Sequence, residues 1–123
     1  MQKNRIRISA LLLAVVLVMS MVACGGPKEP KISVFWYDEA DVYLSSVRTA
    51  LNKELDALGV AYDNQYAAGD QAKQLDQIKT AIAGGSTLLI VNIVTSGSPD
   101  AAKEILAAAG KVPVIFFNRA IGT

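Results

Sequence analysis

The sequence predicts an α/β domain: an open parallel sheet with helices on both faces. Three observations carry this. Four strand-like runs, ISVFWY (32–37), VAYDNQY (60–66), TLLIVNI (87–93) and VPVIFFN (112–118), start 28, 27 and 25 residues apart. Helical patterns fill the gaps, and strands alternating with helices at this spacing make right-handed βαβ units. The third and fourth runs are nearly all apolar, as strands covered on both faces should be. A leucine-rich solenoid has a similar period, but its Leu-x-x-Leu-x-Leu consensus is absent.

Each element has its own signals. ISVFWY opens the sheet. In the first helix Leu44, Val47, Leu51, Leu55 and Leu58 recur at three- and four-residue steps and form one apolar stripe. Gly59 stands where a helix C-terminal glycine belongs. VAYDNQY is more polar and suits an edge strand. Asp70 caps the second helix, whose inner face carries Leu75, Ile78 and Ile82, and Gly84–Gly85 ends it. In the third helix Ser98 is a natural N-cap, Pro99 suits the first position and Asp100 favours the helix dipole. Ile105, Leu106 and Ala109 are expected to face inward, and Gly110 closes the helix. The 123 residues stop just after the fourth strand with no helix to follow it, so the chain reads as part of a longer protein.

The N-terminus is a separate matter. Lys3, Arg5 and Arg7 precede an apolar run from Ile8 to Val22, broken only by Ser9 and Ser20. Fifteen residues are short for a membrane span, which needs about 20. They fit the core of a secretory signal over residues 1–23. A buried core helix would need a polar face, which this run lacks. MVAC followed by GG resembles a bacterial lipobox, with Cys24 as the lipidated residue and Met21 where Leu is preferred. The alternative for Cys24 is a buried free thiol; as the only cysteine it forms no intrachain disulfide. Residues 24–30, rich in Gly, Pro and charge, make a tether that could hold a domain roughly 20 Å from a membrane. Residues 31–123 form the domain.

Composition excludes several chemistries. Apolar residues make up 52% of the chain, which argues against disorder. After loss of residues 1–23, nine basic residues face 11 acidic ones, so nucleic acid is not an expected partner. The chain has no histidine, and Cys24 is committed, so no Ser-His or Cys-His nucleophile and no His/Cys metal cluster can be assembled. No Walker loop or G-x-G-x-x-G follows the first strand. The TSGSPD loop could offer N–H groups to a phosphate, but Ser98 has a simpler use as a cap. Three acids at one corner are weak support for a glycosidase.

Ligands of open parallel sheets bind beyond the carboxyl ends of the strands, where strand order reverses. After the first strand come Asp38, Glu39, Asp41 and Tyr43; after the third, Asn92, Thr95 and Ser96; after the fourth, Asn118 and Arg119. This kit suits a sugar. Asp accepts from hydroxyls, Asn donates and accepts, Arg donates in a fork, and an aromatic ring packs on the C–H face. Asp41 could equally cap the first helix, and Tyr43 could pack over the sheet edge. Strand alternation puts Trp36 and Tyr37 on opposite faces. Trp36 belongs to the core, Tyr37 could line the cleft, and Asp38 and Glu39 are solvated lip residues.

At ISVFWYDEADVYLSSVRTAL, DQAKQLDQIKTAIAGG, LIVNIV and KVPVIFFNR the chain resembles the N-terminal lobe of the galactose/glucose-binding proteins, from about residue 31 onward. Q-x-D-Q-I and P-V-x-F-F-N-R are the most specific parts. The resemblance implies a periplasmic-binding-protein type I fold, here a partial N-terminal lobe. It implies a substrate-binding lipoprotein of an ABC importer, held to the outer face of the cell membrane by lipid on Cys24, with a hexose as ligand and the transporter permease as partner. Asp41 and Asn92 would bond hydroxyls and Tyr43 would stack on the ring. Asn118 and Arg119 complete the expected sugar-binding set, near the interlobe crossover. Where relatives often have Glu-Pro next, this chain has Ala120-Ile121. No cofactor is expected in this segment, and the relatives' calcium site would fall in the second lobe. A sugar sensor feeding a membrane receptor or kinase, or a binder of ribose or another sugar, would share these features. A repressor's sensor domain fits less well, given the signal segment. An enzyme would need catalytic groups from elsewhere.

Overall fold

The computed structural model describes residues 29–122; the expected signal segment over 1–23, Cys24 and most of the expected tether lie outside them. Strands and helices alternate: β1 (Lys31–Trp36), α1 (Val42–Leu58), β2 (Ala61–Tyr66), α2 (Gln71–Ala83), β3 (Leu88–Val91), α3 (Pro99–Ala109) and β4 (Val114–Phe116). The four strands form one parallel sheet in the order β2-β1-β3-β4. The chain steps one way from β1 to β2 and back the other way to β3 and β4. Right-handed crossovers then place α1 on one face and α2 with α3 on the other.

Side-chain alternation along β1 sorts the core into two layers. Ile32, Val34 and Trp36 join Leu44 and Leu55 of α1. Phe35 joins Leu89, Val91, Ile93, Ile78 of α2 and Ala101, Ala102, Ile105 and Ala109 of α3. The polar strand β2 lies at an edge, as its composition predicts. Asp70 and Ser98 cap their helices through Lys73 N–H and Ala101 N–H, at 3.0 and 3.2 Å.

Three expectations need correction. Leu58 is 72% exposed and leaves the α1 stripe. The helix ends in a Schellman motif: Gly59 N–H donates to Asp56 O and Val60 N–H to Leu55 O. Val60 thereby folds back onto the cluster and takes the place expected of Leu58. Leu106 is 48% exposed, because Ala102, Ile105 and Ala109 already define the inner stripe of α3 and the next residue turns about 100° away. Finally, β4 is not covered on both faces. Val114 and Phe116 pack toward α3, whereas Ile115 is 50% exposed on the α1 side.

Gly59 has φ +65° in the left-handed region, with open space where a Cβ would project. Gly59→Ala is therefore expected to cost about 1–2 kcal/mol through backbone strain alone. Urea unfolding should show a lower midpoint with an unchanged slope.

Candidate functional site

The order reverses between β1 and β3, and the chain leaves both strands at one corner. Asp41 is the N-cap of α1, with extended backbone at φ −68° and ψ 117°. Its Oδ1 accepts from Leu44 N–H at 2.9 Å, and its Oδ2 accepts from the Tyr37 hydroxyl at 2.6 Å. Capping and ligand binding are therefore not exclusive. A carboxylate offers about four acceptor sites, so the Leu44, Tyr43 and Tyr37 donors leave it capacity to accept further. The Tyr37 hydroxyl bond, the Leu44 and Tyr43 N–H groups and the Arg119 charge hold the Asp41 pKa below its usual 3.8, against partial burial. The same bond, with partial burial and the Asp41 charge, pushes Tyr37 above 10.0, against the Arg119 charge.

Tyr43 stands two residues into the corner and is 64% exposed, so its ring is free to pack on a ligand. Glu39 is exposed, and Asp38 Oδ1 accepts from Ala40 N–H at 2.8 Å, turning the lip. Trp36 is fully buried, as expected. Its ring meets Phe117 edge-on at 5.3 Å and 85°, and its Nε1 donates to Asn64 at 2.7 Å.

The two asparagines have different placements. Asn92 is fully buried. Its Nδ2 donates to Phe117 O at 3.2 Å, and its Oδ1 accepts from Tyr37 N–H at 3.4 Å. It braces the exits of β1, β3 and β4 rather than facing solvent, because both ends of its amide are bonded to backbone groups there. Asn118 is exposed, with φ +62°, a left-handed conformation that Asn tolerates better than most residues. That turn brings the next side chain back. Arg119 Nη1 donates to Ile93 O at 3.1 Å and Val94 O at 2.6 Å, and its guanidinium lies 4.2 Å from the centre of the Tyr37 ring. The structure thus gathers Asp41, Tyr37 and Arg119 at one place, with Tyr43 and Asn118 exposed around them and Asn92 beneath.

Sequence reasoning gave no role to the glutamines of α2. Gln74 is fully buried, donates to Asn92 O at 3.0 Å and accepts from Val94 N–H at 3.2 Å. Gln71 accepts from Thr95 N–H at 2.8 Å. Gln77 donates to Tyr66 O at 3.0 Å. The signal was present: Gln74 and Ile78 are four apart on the inner face, where a polar side chain needs a partner. Gln74→Ala is expected to cost about 1–3 kcal/mol, because it leaves buried backbone groups of the β3 exit unpaired. Thermal unfolding should detect the loss, and hydrogen exchange at Val94 should accelerate.

A concavity of about 640 Å³ lies elsewhere, between α2 and the β1–β2 edge, lined by Lys31, Ser33, Asp63, Gln65 and Gln77 among others. No residue of the corner lines it. Its central groups bond one another, Ser33 with Asp63 at 2.6 Å and Ser86 at 2.7 Å, and Gln65 with Asp63 at 2.7 Å. Among the described residues no cluster of acidic, His or Cys side chains could hold a metal, and no helix is long and apolar enough to cross a membrane.

A family model described as a periplasmic binding protein domain matches residues 32–123. The chain belongs to that family. Solved structures with the same fold include an ABC transporter solute-binding protein from Mycobacterium smegmatis with bound glycerol, at 24% identity and TM-score 0.67, over 77% of this chain and 33% of that one. The myo-inositol-binding protein of Caulobacter matches at 22% identity and TM-score 0.67, over 82% of this chain and 34% of its own. The fructose-binding periplasmic domain of a hybrid two-component system matches at 21% identity and TM-score 0.67, over 77% and 31%. This periplasmic binding protein domain spans about a third of the length of these chains. At such identities the likeness is one of fold. It agrees with the four-stranded parallel sheet and its covering helices.

Proposed function

We propose that the chain is one wall of the sugar-binding cleft of an extracytoplasmic, lipid-anchored binding protein that delivers a hexose such as galactose or glucose to the permease of an ABC importer. One observation carries the reading. A carboxylate held ionised at the strand-order reversal stands beside an exposed aromatic ring two residues away. Asp41 would accept from sugar hydroxyls with its free lone pairs, Tyr43 would cover the C–H face, and Asn118 would offer both a donor and an acceptor. Arg119 would present its remaining N–H groups. Asn92 would act from below, keeping the strand ends in register. The myo-inositol and fructose ligands of the fold neighbours support a polyhydroxylated ligand. The basic, apolar N-terminus and Cys24 support secretion and lipid anchoring. No step of the reading uses a metal.

A second reading keeps the ligand and changes the output. The fructose-binding neighbour belongs to a hybrid two-component system, so a sugar sensor feeding a membrane kinase fits the same corner. Calorimetric titration of the full-length protein with galactose, glucose, ribose and myo-inositol tests the site. A hexose is expected to bind most tightly; ribose as the tightest ligand would replace it, and no heat with any of the four would overturn the sugar assignment. Co-purification with a permease, as against a kinase, separates transport from sensing.

A further inference from the structure

We propose that Tyr37 is the positioning residue of this sugar subsite: its hydroxyl orients the Asp41 carboxylate, and Arg119, stacked on its ring, holds Tyr37 in place. The proposal rests on the sugar-binding reading of Asp41. Its geometry is independent of that reading.

Asp41 has two rotatable side-chain bonds. Leu44 N–H fixes one oxygen at 2.9 Å, which alone leaves the carboxylate free to swing about that contact. The Tyr37 hydroxyl, at 2.6 Å on the other oxygen, removes this freedom. The carboxylate plane, and with it the direction of the remaining lone pairs, is then set before any ligand arrives. A charge-assisted bond of this kind is shorter and stronger than a neutral one.

Tyr37 is fixed in turn from three sides. Its N–H donates to Asn92 Oδ1 at 3.4 Å, its carbonyl accepts from Gly69 N–H at 2.8 Å, and its ring lies 4.2 Å from the Arg119 guanidinium carbon. Arg119 is itself tied to Ile93 O and Val94 O at the β3 exit. A continuous set of contacts therefore runs from the exits of β3 and β4, through Arg119 and Tyr37, to the group that would meet the sugar. Such support from behind gives a site the angular precision that a single capping bond cannot. The charged groups acting on the pair are Arg119 from the β4 exit and Asp38 from the same lip.

Tyr37→Phe tests this, since it keeps the ring and its stacking and removes only the hydroxyl. In the full-length protein, hexose affinity is expected to fall about three- to tenfold, the range of one ordinary hydrogen bond, because the phenol orients the carboxylate without touching the sugar. The pH profile adds a readout that a merely structural role would not move. The ionised Asp41 binds; its depressed pKa keeps it ionised as pH falls. Without the phenol the pKa rises, so the acid limb of affinity moves to higher pH. The Asp41 carboxyl carbon, assigned by comparison with Asp41→Asn and followed by NMR, should titrate at correspondingly higher pH. Unchanged affinity with an unmoved acid limb overturns the proposal. A moved carboxyl titration with no sugar bound by either protein condemns the sugar reading alone. Sugar binding intact with an unmoved titration condemns the role of Tyr37 alone. A lower melting temperature with an unmoved acid limb makes Tyr37 a packing residue and nothing more.

Discussion

Trp36→Ala is expected to lose about 3–5 kcal/mol of stability, as fully buried aromatic deletions do. Domains of this size commonly have about 5–15 kcal/mol in total, so the variant should be marginal at ambient temperature. The indole is the largest fully buried side chain and forms the floor of the α1 layer. Its loss removes the edge-on contact with Phe117 and leaves Asn64 Oδ1 without its donor. It also strips one wall from Arg48, whose guanidinium lies 5.8 Å from the indole and 5.2 Å from the Tyr66 ring. Urea unfolding followed by circular dichroism should show a large drop in midpoint. Trp36→Phe, which keeps a ring in the layer, should lose much less; equal losses would mean that the polar contacts of the indole outweigh its packing.

Asp41→Ala should have the largest effect on binding. Hexose affinity is expected to fall at least about tenfold, because ligand hydroxyls lose a charged acceptor. The variant should also melt a few degrees lower, since the N-cap of α1 goes with it. Asp41→Asn separates the two effects: an amide oxygen can still cap Leu44 N–H, so melting should recover while affinity stays low. Acid should act on the parent protein in the same direction. A depressed Asp pKa contributes stability that is complete above the unfolded value, near 3.8, and fades as pH falls through the lower folded value. Affinity that survives Asp41→Ala would return this residue to capping alone.

The strand–helix alternation was legible because its period dominates everything else in the chain, and the polar content of VAYDNQY announced its edge position. Boundaries were less legible. VPVIFFN reads as one apolar run, yet the strand stops at Phe116, because Asn118 turns left-handed and Arg119 folds back onto the β3 exit. At the corner, the cap signal at Asp41 followed from local pattern, whereas local pattern left Tyr43 open to packing over the sheet edge, and the structure leaves its ring exposed. The roles of Asn92 and Asn118 did not. Both are asparagines at the end of an apolar strand, and only the backbone turn decides that one looks inward and the other out. Tyr37 was equally hidden: alternation assigns a strand residue to a face but does not say that a phenol reaches the carboxylate four residues later. Leu58 and Leu106 fit the helical stripe by spacing, and each lost its place to a neighbour already seated in the core.

The chain contains a single tryptophan, and it sits one residue before Tyr37, with Phe117 against its ring and the exposed Asn118 next in the chain. Indole emission from this chain therefore arises from one point, directly behind the lip. A ligand that shifts Tyr37 or the Phe117–Asn118 turn would alter the surroundings of that chromophore without touching it. This segment thus carries an optical gauge of occupancy, placed on the dry side of the wall that the ligand would meet.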